Sequence, residues 1–112
     1  MTQVEITEDV VKAAVSQALS AAHTAASEWV RTNPHGLCGF AWVITNARGN
    51  SRVVRLLKMH GFKKAYGGGY CLWNPSGLMT QSVDALEVGA QAAAQVLTEQ
   101  LGVVFYAQSK LD

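Results

Sequence analysis

The chain has 112 residues, of which 49% are hydrophobic and 15% charged, with a formal net charge of +1. That length fits one domain, residues 1–112, and the apolar share excludes an intrinsically disordered chain. No apolar run approaches the roughly 20 residues that a membrane-spanning helix needs, and Glu5, Glu8 and Asp9 precede any apolar stretch, the wrong order for a secretory signal. We therefore expect a cytoplasmic protein without a membrane partner.

The first 33 residues read as an N-terminal helix. Thr7 can cap it, and Val11, Val15, Ala18, Ala22, Ala25 and Trp29 recur at helical spacing until Asn33, Pro34 and Gly36 end it. The seam is mostly alanine, which buries little area per residue, so this helix needs a partner surface. Cys38–Thr45 then reads as a strand with both faces apolar. Phe40, Trp42 and Ile44 share one face, and Ala41 and Val43 the other.

A second helix is expected from about Asn50 to His60, with Val53, Val54, Leu56 and Leu57 inward, Arg52, Arg55 and Lys58 outward, and Gly61 as its stop. Phe62–Tyr66 and Tyr70–Trp73 flank Gly67-Gly68-Gly69 and read as a hairpin. Asn74-Pro75-Ser76-Gly77 breaks the second strand. Asp84 and Glu87 then suggest a capping box, with Val83 and Val88 as its hydrophobic staple, for a third helix ending at Gly102. Val103–Gln108 reads as the last strand.

This order predicts an α+β domain, a ferredoxin-like βαββαβ sandwich over residues 37–109 with an additional N-terminal helix. In that reading the first and third strands are adjacent and parallel, so the loops after them open at one rim. One loop holds Arg48, Gly49 and Asn50; the other holds Asn74, Ser76 and Gln81. Each leads into a helix N-terminus, where free N–H groups and the helix dipole favour an anion, and Arg48 adds a forked cationic donor. The alternative is that Asn46, Asn50 and Ser51 only cap and turn the chain, with Arg48 solvated.

Residues 32–83 contain no Asp or Glu and carry Arg48, Arg52, Arg55, Lys58, Lys63 and Lys64, which points to an anionic partner. Trp42, Tyr70 and Trp73 on adjacent strands would suggest base stacking if exposed. No RNP-like pattern accompanies them, and burial against the first helix is the reading we weigh against it. The glycine triplet lies between strands, not before a helix, so it fits a turn or a flap better than a phosphate cradle. His23, His35 and His60 share no ligand spacing, and Cys38 and Cys71 form no CxxC pair, so no metal or cofactor is expected.

The segments Cys38–Val43, Ala47-Arg48-Gly49, and Tyr66–Tyr70 with Trp73-Asn74-Pro75 resemble a small protein family encoded by tailed bacteriophages. The resemblance covers roughly residues 33–112, including Gln81 and Gly89-Ala90. It implies a phage protein acting in the bacterial cytoplasm and carries over no catalytic residue.

These features favour a non-enzymatic protein that binds an anionic small molecule or a host protein at the edge near Arg48. Two readings stand beside it: a small enzyme using Cys71, His60 or a tyrosine at the same edge, and nucleic-acid binding through Arg52, Arg55, Lys58, Lys63 and Lys64. A homodimer formed through the alanine seam or an open sheet face is compatible with each.

Overall fold

The computed structural model describes residues 5–112; the first four positions of the expected helical segment 1–33 lie outside the described residues. Seven elements follow in order: α1 (Glu8–Thr32), β1 (Gly39–Thr45), α2 (Arg52–Lys58), β2 (Lys63–Lys64), β3 (Tyr70–Trp73), α3 (Val83–Leu101) and β4 (Tyr106–Leu111). The described residues are thus α+β, with three helices and a four-stranded sheet in the order β2-β3-β1-β4. Every neighbouring pair of strands is antiparallel.

The Thr7 Oγ1 accepts from the Val10 N–H and starts α1, while Glu8 and Asp9 in the first turn complement the helix dipole. Its buried stripe is Val11, Ala14, Val15, Ala18, Ala22 and Ala26, and it packs along α3, whose own buried stripe includes Gly89, Ala90, Ala93 and Leu97. Small residues bring the two backbones together. A Cβ built on Gly89 would lie 3.1 Å from the Ala22 carbonyl oxygen and 2.9 Å from the Ser76 Cβ.

Val43 of β1 joins Val53, Val54 and Leu57 of α2, Leu97 and Leu101 of α3, and Phe62 and Phe105 in the main core. The rings of Phe62 and Phe105 meet edge to face, with centroids 6.0 Å apart. Ala41, Leu86 and Ala90 form a second cluster on the same side of the sheet. The helices therefore cover the face carrying Ala41 and Val43. The expectation that α1 covers the face of Phe40 and Trp42 fails, because its alanine seam is used up on α3.

Helix α2 and strand β2 are shorter than the sequence reading has them, and α3 and β4 start elsewhere. Ser82, not Asp84, caps α3, its Oγ accepting from the Ala85 N–H, and Glu87 reaches instead to the Ser109 hydroxyl at 2.6 Å. The last strand begins at Tyr106 because Val104 and Phe105 are held otherwise. Thr98 Oγ1 accepts from the Phe105 N–H, and Thr45 Oγ1 donates to the Val104 carbonyl at 2.9 Å. Phe105 is thereby turned into the core.

No helix among the described residues is long and apolar enough to cross a membrane.

Candidate functional site

The expected parallel pairing of β1 with β3 is corrected: Trp42 is opposite Trp73 and Thr45 opposite Tyr70, so the two strands are antiparallel. The reason is connectivity. Helix α2 returns the chain so that β2 runs parallel to β1, and the glycine turn then reverses it into β3. The loop holding Arg48, Gly49 and Asn50 follows the Thr45 end of the sheet, while Asn74 sits at the other end, its N–H donating to the Ala41 carbonyl. Roughly 13 Å of β1, at about 3.3 Å per residue, separates them. The shared anion-binding rim does not form.

Each expected site residue has a local task. The Arg48 carbonyl accepts from the Ser51 N–H and hydroxyl. Gly49 lies so close to the Tyr70 hydroxyl that a side chain there would collide with it. Asn50 is an exposed turn residue. Asn74 adopts φ 44°, donates from its amide to the Leu78 carbonyl and accepts from the Ser76 hydroxyl. Ser76 is buried, accepts from the Leu78 N–H through Oγ, and accepts through its carbonyl from His23 Nδ1 at 3.0 Å. The Gln81 carbonyl accepts from the Gly39 N–H, and its side-chain oxygen faces the Cys38 thiol at 3.6 Å. The turn-and-cap reading accounts for this loop without a ligand.

The structure assembles a different set of residues on the uncovered face of the sheet. Alternation along β1 puts Phe40, Trp42 and Ile44 there, and the strand pairings add three rows. Ile44 lies between Cys71 and Tyr106, Trp42 between Trp73 and Gln108, and Phe40 beside Lys110, while Lys63 pairs with Cys71 at the β2 edge. The Trp42 and Trp73 rings stack, with centroids 5.0 Å apart and planes within 7°. Phe40 packs on Trp73 at 5.6 Å and 36°. Phe40 and Trp73 remain 42% and 56% exposed, so the expected burial of these rings against α1 does not occur.

The hairpin closes one end of this face. Gly69, at φ +78°, sits over Ile44, where a Cβ would come 3.2 Å from the Ile44 Cδ1, which explains why Ile44 is buried on an otherwise open face. Tyr66 at the hairpin tip is fully exposed. Between the hairpin and the rings lies a cavity of about 310 Å³ lined by Trp42, Tyr66, Cys71, Trp73, Gln108 and Lys110, with Ala65 at its wall. A second hollow of about 320 Å³ adjoins it, with Lys63 beside Trp73 and Cys71.

Within the first cavity, Trp42 Nε1 donates to Gln108 Oε1 at 2.9 Å, which fixes the amide. Tyr106 at the same end accepts a hydrogen bond from the Asn46 amide at 2.9 Å. Burial pushes the Cys71 thiol above its ordinary pKa, so it is a neutral wall group. Lys63 and Lys110 supply positive charge, whereas the acids of α3 stand on the helical side. Asp112, whose N–H donates to the Cys38 carbonyl, closes the Lys110 end.

Arg52, Arg55 and Lys58 belong to the helical layer, where Arg52 Nε donates to the Ile6 carbonyl and the Lys58 ammonium sits 4.9 Å from the Tyr70 ring centroid. Tyr70 points to that side as well, so the expected trio of Trp42, Tyr70 and Trp73 is split. Among the described residues no group of three or more His, Cys, Asp or Glu is placed to hold a metal ion.

Sequence reasoning singled out Trp42 and Trp73 but missed Gln108, Lys110 and Tyr66 as their neighbours. The parity of the last strand held the signal: with Phe105 inward, its outward row is Tyr106, Gln108 and Lys110.

Compared with protein-family models, curated proteins and solved structures, the chain matches none.

Proposed function

We propose that this protein is a non-catalytic binding module that stacks the bases of single-stranded nucleic acid on the open face of its sheet. One observation carries the reading: a stacked Trp42–Trp73 pair, extended by Phe40, stands on a face that no helix among the described residues covers, with Lys63 and Lys110 beside it. Unstacked bases present π-faces to such rings, and the phosphates between them need nearby cations. The anionic partner expected from the acid-free central segment is retained in this form. A second copy of the chain fits the face less well, because face-to-face packing would bring two sets of Lys63 and Lys110 together.

Two further readings accompany it. Running β1 parallel to β2 on either side of β3, and β3 parallel to β4 on either side of β1, supports a ferredoxin-like description of the sheet. Likeness of the Cys38–Val43 and Tyr66–Tyr70 segments to tailed-phage proteins supports a phage protein working in the bacterial cytoplasm.

The test is fluorescence anisotropy with labelled single-stranded and duplex oligonucleotides of the same sequence. Single strands should bind more tightly at low salt, with loss of binding as salt rises. Equal affinity for both forms, no binding to either, or a concentration-dependent doubling of mass that the oligonucleotide does not compete with would remove the proposal.

A further inference from the structure

We infer that the cavity beneath Tyr66 selects keto bases, guanine and uracil or thymine, over cytosine and adenine, with Gln108 and Lys110 as the specificity-determining residues. The inference rests on the nucleic-acid reading above and names which bases that site takes.

Hydrogen-bond polarity around the cavity is the basis. An indole N–H only donates, so the Trp42 Nε1 contact at 2.9 Å requires the oxygen of the Gln108 amide to be its partner. That bond fixes the amide and uses one of the two Oε1 lone pairs, leaving the Nε2 hydrogens and one lone pair for a ligand. Lys110, two residues on and on the same face of β4, brings three more donors and no acceptor. The Cys71 thiol, kept neutral by burial, is at most a weak donor. The acceptors that remain are the second Gln108 Oε1 lone pair and the Tyr66 hydroxyl at the exposed tip, which can take either part.

A base entering against the Trp42 and Trp73 rings thus meets more donors than acceptors on its β4 side. The O6 and N7 atoms of guanine, or the O4 atom of thymine and uracil, accept there. Where those bases carry a carbonyl, adenine and cytosine carry an exocyclic amino group, a donor that finds fewer partners on a donor-rich side. At about 310 Å³ the space is at the small end of ligand pockets, suited to one planar ring system.

The experiment compares short deoxyuridine and deoxycytidine oligonucleotides, whose bases differ at C4 by a carbonyl against an amino group, and repeats the contrast with deoxyinosine and deoxyadenosine. Native protein should favour the keto member of each pair by about fivefold or more. Gln108→Glu presents a carboxylate acceptor to the same position and should reduce or reverse the ratio, whatever it does to overall affinity. Lys110→Met should also lower it. Binding without base preference, or a preference that both substitutions leave intact, overturns this inference while the stacking function stands. Failure to bind any of the four oligonucleotides overturns both.

Discussion

Trp42 and Trp73 face each other across the β1–β3 pair with their indole planes within 7° and their centroids 5.0 Å apart. Trp42 is half-buried by this contact and by Gln108, whereas Trp73 is 56% exposed. The pair therefore holds one ring in place and presents the other. Trp73→Ala should weaken binding of single-stranded oligonucleotides about tenfold, given roughly 1–3 kcal/mol per stacked base. Because the ring is outside the core, thermal unfolding should change little, and Trp73→Phe should restore part of the affinity. A Trp73→Ala protein that folds and binds as native would contradict the stacking role.

Lys63 and Lys110 set the expected salt response. If two or three phosphates are neutralised, a plot of log affinity against log salt should have a slope of roughly −1.4 to −2 for a single strand. The Lys63→Gln, Lys110→Gln double variant should flatten it. Arg52→Gln and Arg55→Gln, which alter α2 on the helical side, should leave the slope nearly unchanged.

Gly89 marks a close approach of α1, α3 and the Asn74–Leu78 turn. Its added Cβ would meet backbone at the Ala22 carbonyl, 3.1 Å away, and Ser76 at 2.9 Å. Gly89→Ala should therefore destabilise the fold by about 1–3 kcal/mol, despite the gain in helix propensity, measured by chemical denaturation. Ser16→Ala, at an exposed position of α1, should not destabilise.

Cys71 lies inside the proposed cavity and Cys38 is exposed at the far end. With its thiol pushed up by burial, Cys71 resists forming thiolate in the folded state, so stability should fall as pH rises past the ordinary thiol range and be unaffected below it. At neutral pH iodoacetamide should modify Cys38 before Cys71, read by peptide mass spectrometry. A bound oligonucleotide should protect Cys71 further and leave Cys38 unchanged.

Most elements could be read from local chemistry. Thr7 as a cap, the alanine seam of α1, the Gly102 stop and the glycine hairpin all depend on neighbours in sequence. The expected rim between Arg48 and Asn74 depended on strand direction, and there the reading went astray. A helical crossover followed by a hairpin reverses the third strand relative to the first, so the two loops part. That Trp42 and Trp73 stand on an open face was beyond local chemistry, since it turns on which face α1 covers, and an alanine stripe fits a helix as well as a sheet. Gln108 and Lys110 were hidden because the last strand starts three residues later than its β-branched run suggests, a shift set by the Thr98 and Phe105 contacts.

The central claim is most directly tested by the three indole N–H signals in a nitrogen-15 correlation spectrum during titration with a single-stranded oligonucleotide. Trp42 and Trp73 stand on the open face, while Trp29 belongs to α1 and borders Asp84 and Glu87 on the helical side. The account predicts saturable shifts of the Trp42 and Trp73 signals with Trp29 unmoved. Shifts confined to Trp29, or binding that moves none of the three, would contradict it.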